Sequence, residues 1–346
     1  MTVPLPTSSE AVPIRFGYKA SAEQFGPAEL LRYAVLAEEL GFDSVFTSDH
    51  LQPWQHRGGH APAAIPWLGA LGASTERVLI GTSVLTPTLR YHPGVVAQAF
   101  GTLGSLFPGR VVLGVGTGEA LNEVTLGIDW PEQKERFARL KEAIGLIEAL
   151  WAGERVSFEG QFYRVRDATV YDRPETPVPI YIGASGPAAT RLAGRIADGW
   201  ITTSGKGRAL YADTLIPALE EGLGKRESAL GTAVDRLIEV KVSFDPDRER
   251  ALQDTRFWAP LALSPEQKTS VHDPVEMQRL GDALPIEQVA SRFIVSTDAE
   301  EHVARIADYL DLGFTHLVFH GPGHDQERFL RRYGEEILPR LRALRG

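Results

Sequence analysis

The sequence predicts an α/β protein with a single (β/α)8 barrel, the TIM-barrel fold. Short apolar segments typical of buried strands alternate with helical segments along the 346-residue chain, which indicates a parallel sheet covered on both faces. Eight such strands are expected, whereas a doubly wound sheet usually has about five to seven. No linker and no repeated segment divides the chain, so we expect one domain with loop insertions.

The elements follow from local apolar patterns in chain order. Strands are predicted at 14–18, 44–47, 78–82, 111–115, 179–183, 200–202, 237–244 and 316–319. Helices are predicted over 27–41, 95–106 and 131–151. Pro27 opens the first helix and Gly41 ends it.

Three stretches depart from this alternation. Residues 156–171 alternate in polarity around a Glu-Gly turn, as in a β-hairpin. Residues 254–285 contain four prolines and no clear period, so we expect an ordered insertion between units seven and eight. Residues 1–13 are Pro-rich without periodicity and are predicted to be a disordered extension. The catalytic barrel domain is therefore expected to span 14–346.

The composition argues against several classes of protein. The sequence has no cysteine, which excludes disulfides, thiolate metal ligands and a cysteine nucleophile. A net charge of −9 argues against a nucleic-acid or anionic-membrane surface. There is no apolar run of about 18 residues and no signal-peptide pattern, so we expect a cytoplasmic protein. His56 and His60 are separated by residues that form a poor helix, so no metal site is expected.

The stretch 47–54 is the first candidate site, because an apolar strand there leads directly to an acid, an imidazole and an indole. Asp49 and His50 fall at the carboxyl end of this strand, where catalytic groups of parallel α/β folds lie. Histidine changes charge near neutral pH and an adjacent carboxylate can tune it, so the pair is a candidate general base. An aspartate that caps a turn beside a packed histidine is the structural alternative.

Glycines and an acid follow the fourth strand. Gly114, Gly116 and Gly118 would let backbone amides approach a planar ring or a phosphate, and Glu119 could supply a proton. A tight structural turn is the alternative for the glycines. Leu121 stands where a dinucleotide fingerprint needs its third glycine, so an NAD site is not indicated.

Two further groups of residues could bind anions. The Ser-Gly-Pro segment 185–187 leads into a helix whose free amides and dipole favour an anion. Lys206 follows strand six, Lys268 lies in the insertion and Arg292 ends the helical run 286–292. Each cation alone would ordinarily be a solvated surface charge, but the three could converge on one rim of the barrel.

Long motifs throughout the chain are shared with a known enzyme family. They are GYKASAEQF at 17–25, SDHLQPW at 48–54, GTSVLTPT at 81–88, GVGTGEALNE at 114–123, TSGKG at 203–207, DTRFWAPL at 254–261, EQK at 266–268, GDALPIEQ at 281–288 and HLVFHGPGHDQ at 316–326. In these motifs the chain resembles the luciferase-like superfamily of flavin and deazaflavin barrel enzymes. Within that superfamily it is similar to the F420-dependent glucose-6-phosphate dehydrogenases, and it departs from them in the Pro-rich extension and a short loop at 127–130.

The resemblance implies that C1 of a sugar 6-phosphate, with glucose 6-phosphate expected first, loses a hydride to C5 of coenzyme F420 and becomes the lactone. His50 matches the proposed base, Glu119 the proposed acid and Trp54 the residue that stabilises the intermediate. The positions that match the cofactor site are Asp49, Ser83, Val84, Thr86, Gly116, Gly118, Asn122, Ser185 and Gly186. The positions that match the substrate site are Glu23, Thr203, Lys206, Lys268 and Arg292. Ser83 and Val84 also match a cis-peptide bulge behind the deazaflavin ring.

The resemblance further implies a homodimer without nucleic-acid or membrane partners. One alternative is an F420- or FMN-dependent reductase or monooxygenase on the same barrel, which would need no cluster for a sugar phosphate. A second is a non-catalytic flavin-binding protein, which would be expected to lose the acid and base groups at the rim.

Overall fold

The computed structural model describes residues 12–226 and 233–344, so most of the predicted extension 1–13 lies outside the described residues. The strands are β1 (Arg15–Ala20), β2 (Ser44–Thr47), β3 (Leu79–Thr82), β4 (Val111–Val115), β5 (Val156–Glu159), β6 (Arg164–Ala168), β7 (Ile180–Gly183), β8 (Gly199–Thr203), β9 (Asp235–Phe244), β10 (Ile294–Ser296) and β11 (His316–His320).

Eight of these strands close into a parallel barrel. Within the described ranges they pair in the order β1-β2-β3-β4-β7-β8-β9-β11, and β11 pairs back with β1. The predicted (β/α)8 barrel is therefore confirmed, and every predicted barrel strand ends within two residues of the observed bounds. The hairpin is confirmed as well, because β5 and β6 pair antiparallel, with Phe158 opposite Val165.

Helices connect the strands and cover the outside of the barrel. They are α1 (Pro27–Glu39), α2 (Ala64–Ser74), α3 (Pro93–Leu106), α4 (Ala120–Glu123), α5 (Gln133–Ala152), α6 (Pro187–Ile196), α7 (Ile216–Leu223), α8 (Arg248–Gln253), α9 (Pro265–Ser270), α10 (Pro274–Asp282), α11 (Ile286–Ala290), α12 (Ala299–Asp311), α13 (Gln326–Arg332) and α14 (Leu338–Ala343). Several begin with proline, which costs no hydrogen bond in the first helical turn.

The sequence pattern does not predict α2 or β10. Helix α2 contains two glycines, a proline and no charged residue, so its helical periodicity is hidden although Trp67, Leu68 and Leu71 are buried. Strand β10 has three residues, too few for a pattern, and it pairs with the end of the long strand β9, Ile294 opposite Val242.

The predicted insertion 254–285 is ordered and mostly helical. A 3-10 segment, Asp254–Ala262, leads into α9 and α10. Each of the two helices is short and begins at its own cap, a capping box at Ser264 and the Asp273 side chain. Because each short helix begins anew at its own cap, the sequence shows no sustained helical periodicity there.

Apolar side chains fill the barrel interior. The buried members of this cluster are Phe46, Val112, Tyr181, Ile201, Leu237 and Val318. Val84 packs against them, and a larger core lies between the strands and the helices. In the part of the chain that the structure describes, no helix is long and apolar enough to span a membrane.

Candidate active site

The candidate active site lies at the carboxyl ends of the barrel strands, the usual position in this fold. His50 follows β2 and Glu119 follows β4. Asn122 in α4 holds the His50 loop, because its side-chain oxygen accepts hydrogen bonds from the backbone N–H groups of Leu51 (2.8 Å) and Gln52 (3.2 Å). Helix α4 therefore fixes the loop that carries the candidate base.

His50 lies between two carboxylates. Its Nε2 is 3.4 Å from Glu23 Oε1 and 3.6 Å from Glu119 Oε2. Its Nδ1 is 3.3 Å from the carbonyl oxygen of Gln52, and since a carbonyl only accepts, Nδ1 is the donor. The Trp54 ring lies 6.3 Å away, centroid to centroid. This arrangement leaves Nε2 to exchange a proton with whatever enters between the two acids.

The two carboxylates have pKa values shifted in opposite directions. Burial would raise the pKa of Glu23, but His50, Lys19 and a 2.8 Å hydrogen bond from Ser48 outweigh it and hold the pKa below its usual value. The Glu119 side chain keeps 44% of its surface accessible, yet its Oε2 is covered, and this loss of water raises the pKa despite His50. Two acids with separated pKa values can take different roles in proton transfer.

Asp49 is not the acid that faces His50, which corrects the expected Asp-His pair. Its Oδ1 accepts from the backbone N–H of Ala64 (3.0 Å), and its Oδ2 is 2.6 Å from Arg90 Nη2. Arg90 also binds Glu123 at 2.7 Å. Adjacent side chains on an extended backbone point in different directions, so the neighbour of His50 in sequence is not its neighbour in space. A contact of Asp49 with a cofactor remains a prediction.

An apolar platform faces the site beside these groups. The Ser83-Val84 peptide bond is cis, as expected. A Cβ atom at Gly116 would lie 2.7 Å from Val84 Cγ2, and one at Gly183 would lie 3.1 Å from Val84 Cγ1. A side chain at Gly116 would therefore displace Val84, and one at Gly183 would crowd it. Lys19 fixes the bulge, because its Nζ donates to the Ser83 carbonyl (3.1 Å) and hydroxyl (2.9 Å).

The remaining predicted cofactor positions line the same rim. Gly118 has a φ of +90°, which only glycine adopts readily, and a Cβ there would come within 3.1 Å of Thr86. Gly186 precedes α6 without a side-chain cap, and Ser185 beside it is exposed. A Cβ at Gly186 would meet nothing within 4 Å, so the backbone is open to a ligand.

The predicted cations come together on the rim. Gly205 has a φ of +77°, and a Cβ there would lie 2.4 Å from the Arg292 carbonyl oxygen, so the loop that carries Lys206 rests on the Arg292 backbone. Burial, with repulsion from Lys241, Arg292 and Lys268, lowers the pKa of Lys206 to about 8. Burial and repulsion from Arg292 and Lys241 also lower the pKa of Lys268.

Sequence reasoning assigned no role to four charged residues at this site: Lys19, Arg90, Glu239 and Lys241. The last two had a detectable signal. In the run from Leu237 to Phe244 every second residue after Leu237 is charged or polar, whereas a strand buried on both faces should be apolar throughout. That alternation shows that one face of β9 changes from apolar to polar as the strand approaches the rim.

Comparison with known proteins gives consistent matches. The model of the luciferase-like monooxygenase family matches residues 11–316. The chain is 74% identical over 334 residues to an F420-dependent glucose-6-phosphate dehydrogenase of Nakamurella multipartita, covering 96% of this chain and 98% of the relative. It is 73% identical over 331 residues to the enzyme of the same name from Microbacterium testaceum, with 96% and 98% covered.

A solved structure of an F420-dependent secondary alcohol dehydrogenase, in complex with an F420-acetone adduct, has the same fold. It superposes with a TM-score of 0.88 at 32% identity, covering 95% of this chain and 99% of that one.

Proposed function

The chain belongs to the luciferase-like monooxygenase family, within it to the F420-dependent glucose-6-phosphate dehydrogenases, and from this we propose that it oxidises C1 of a sugar 6-phosphate to the 6-phosphogluconolactone. Glucose 6-phosphate is the proposed substrate and coenzyme F420 the hydride acceptor. The observation that carries the proposal is the arrangement of the rim. A histidine lies between two carboxylates, and Lys268 of the cation cluster is near enough to one of them, Glu119, to oppose the rise in its pKa.

The residues of the site fit a deazaflavin. Val84, seated on Gly116 and Gly183, offers an apolar surface for a flat ring. Within the described residues Glu23 Oε2 and Glu119 Oε2 are covered and have no hydrogen-bond partner, so they can receive polar groups of a ligand. Bound F420 would supply the hydride acceptor at C5 of its ring.

His50 is the proposed base that removes the proton of the C1 hydroxyl. The Gln52 carbonyl orients the ring so that Nε2 faces the reaction, and Glu23 stabilises the imidazolium that forms. Glu119 is the proposed acid, because its raised pKa lets it hold a proton that Glu23 would have lost. Trp54 lies beside the His50 ring and is the residue proposed to stabilise the intermediate.

Lys206, Lys268 and Arg292 are the proposed ligands of the substrate phosphate, with Thr203 beside them. Clustered cations repel one another, and burial together with this repulsion lowers the pKa of Lys206. A phosphate dianion would remove the repulsion, and two point charges with one planar guanidinium suit its oxygens. Binding energy gained at the phosphate would orient C1 at the other end of the sugar.

An F420- or FMN-dependent reductase or monooxygenase remains the second candidate, since the barrel and the Val84 platform would serve it equally. The cation cluster argues against this candidate, because a reductase or monooxygenase of this kind would need no site for a sugar phosphate. A non-catalytic flavin-binding protein would have no use for the covered, unpartnered oxygens of Glu23 and Glu119.

A homodimer is also proposed. Neither α2 nor α3 contains a charged residue, and Val95 and Leu106 of α3 are 53% and 62% exposed. An uncharged outer surface of this kind is suited to pairing with a second copy. A cytoplasmic location is proposed because a sugar 6-phosphate is a charged metabolite that does not cross membranes unaided.

The test is a panel of F420, FMN and NADP, each mixed with the protein and several sugar 6-phosphates. The visible absorbance of oxidised F420 should bleach with glucose 6-phosphate and stay constant with unphosphorylated glucose. Reduction of FMN or NADP instead, or no bleaching with any sugar phosphate, would contradict the proposed function.

A further inference from the structure

Strand β9 carries a charged pair into the barrel just below the rim. Side chains alternate along a strand, and Leu237 belongs to the interior cluster, so Glu239 and Lys241 also face inward. Their outward neighbours Ile238 and Val240 lie in the outer core instead. Charges inside a barrel are costly to bury unless they are paired, so each of these two residues needs a partner of opposite charge.

The Glu239 carboxylate contacts three inward-facing groups. Its Oε2 is 3.7 Å from Lys19 Nζ, and its Oε1 is 3.4 Å from Lys241 Nζ and 3.3 Å from His320 Nδ1. Both lysine side chains are 5% exposed, His320 is 2% exposed and Glu239 is 16% exposed. One carboxylate thus lies between two almost fully buried ammonium groups.

Each lysine reaches a different half of the proposed site. Lys19 Nζ donates to the Ser83 carbonyl and hydroxyl, next to the Val84 platform. Lys241 Nζ donates to Thr203 Oγ1 at 2.5 Å, and Ser204 Oγ accepts a 2.8 Å bond from the Lys241 backbone N–H. A continuous chain of buried charges therefore runs from the ring platform to the loop that precedes Lys206.

Among these buried charges, the Glu239 carboxylate offsets the repulsion between Lys19 and Lys241. Burial lowers the pKa of Lys241, repulsion from Arg292 and Lys19 adds to the fall, and Glu239 is the group that opposes it. Burial would raise the pKa of Glu239, but Lys241 and Lys19 outweigh it and hold the pKa well below its usual value. Glu239 is therefore an anion whenever the protein is near neutral pH.

We infer that Glu239 is a positioning residue that couples the two halves of the site, by holding Lys19 against Ser83 and Lys241 against Thr203. This inference rests on the proposed function. Glu239 does not take part in proton or hydride transfer. It sets the position of the bulge that would support the cofactor ring and of the loop that would bind the substrate phosphate.

The test compares four substitutions in the full-length protein: Lys19→Met, Lys241→Met, Glu239→Gln and Asp235→Asn. The dissociation constant of F420 is measured by fluorescence titration without sugar phosphate. The KM for glucose 6-phosphate is measured at saturating F420, and Tm is measured for every variant. Asp235 is the matched control, because it is a buried interior carboxylate on the same strand at the opposite end of the barrel.

Glu239→Gln should raise both the F420 dissociation constant and the sugar-phosphate KM, each by roughly tenfold or more. Lys19→Met should raise mainly the F420 dissociation constant, and Lys241→Met should raise mainly the KM for glucose 6-phosphate. Asp235→Asn should lower Tm and leave both constants near their wild-type values.

The outcomes separate this inference from the proposed function. If the wild-type protein does not oxidise glucose 6-phosphate with F420, the proposed function is contradicted, and the coupling that rests on it is contradicted as well. An active wild type whose Glu239→Gln variant shifts one constant or neither contradicts the coupling alone. The coupling is also contradicted if Asp235→Asn shifts both constants, because the effect would then be general destabilisation.

Discussion

The two ends of the barrel both contain a histidine next to a carboxylate. At the amino ends of the strands, Ser44 Oγ is 2.7 Å from His316 Nε2, and His316 Nδ1 is 3.1 Å from Asp235 Oδ2. This is the order of nucleophile, base and orienting acid used by hydrolases. At the carboxyl ends, His50 faces Glu23 and Glu119 at longer distances. By hydrogen-bond geometry alone, the lower cluster would be the better active site.

Access and unused hydrogen-bonding capacity reverse that ranking. Ser44 and His316 are 0% exposed, and a Cβ at Gly17 would lie 2.1 Å from Ser44 Oγ, so the strands close tightly over the cluster. Asp235 also accepts hydrogen bonds from Thr315 (2.6 Å) and Tyr181 (2.8 Å). At the rim, by contrast, covered carboxylate oxygens lack partners in the described structure. The lower cluster stabilises the fold, and the upper one is left ready for a ligand.

The largest expected effect comes from removing each histidine in turn. His50→Ala should lower turnover by about 10²- to 10⁴-fold and leave F420 affinity near normal, because a general base is lost without a change in the ring platform. Steady-state kinetics and fluorescence titration measure the two quantities. Retention of a tenth of wild-type turnover at neutral pH would remove His50 from the proposed role.

His316→Gln is the matched control at the lower end. It leaves Asp235 without a major partner, so the free energy of unfolding should fall by roughly 3 to 5 kcal/mol. Turnover of the fraction that remains folded should stay near wild type. A large loss of turnover in folded protein would show that the lower cluster affects the chemistry.

The next effect concerns the cations. Truncating Lys206, Lys268 or Arg292 to alanine should raise the KM for a sugar 6-phosphate by the equivalent of roughly 2 to 5 kcal/mol, since each charge is partly removed from water. The F420 dissociation constant should hardly change. If F420 binding weakened and the KM stayed constant, these cations would belong to the cofactor-binding part of the site and not to the phosphate-binding part.

Acid stability tests the lower cluster. Burial opposes ionisation of Asp235, but His316 and Arg15 outweigh it and lower its pKa from 3.8 to about 2. A lowered folded-state pKa means that this stability is present above pH about 4 and is lost as pH falls towards 2. The loss should be on the order of 2 kcal/mol. The free energy of unfolding, measured with urea between about pH 4 and 2, should fall in this way in wild type but not in Asp235→Asn. The same pH dependence in both proteins would contradict the role of Asp235.

The smallest effect is a pH dependence of substrate binding. Because the pKa of Lys206 is about 8, its charge is lost above that pH in the absence of phosphate. The KM for glucose 6-phosphate should therefore rise as pH increases through 8, by up to about tenfold per pH unit. Lys206→Arg, whose side chain stays charged, should flatten the profile. An equal rise in both proteins would assign the titration to another group.

The sequence was sufficient for the barrel and for the position of His50 at a strand end, and what it did not predict has physical causes. Apolar strands and the strand-end position of His50 are local features, so patterns along the chain predict them. The partner of His50 is not local, because Glu23 lies 27 residues away and reaches it across the rim. Glu239 and Lys241 alternate with apolar residues along β9, but their pairing with Lys19 depends on closure of the barrel, which no local pattern shows.

Transfer of label from C1-deuterated glucose 6-phosphate tests the central claim most directly. If the rim oxidises C1 with F420 as hydride acceptor, the reduced cofactor should carry deuterium at C5, which mass spectrometry and NMR can detect. Reduced F420 that contains no deuterium, or no reduction of F420 at all, would contradict the account.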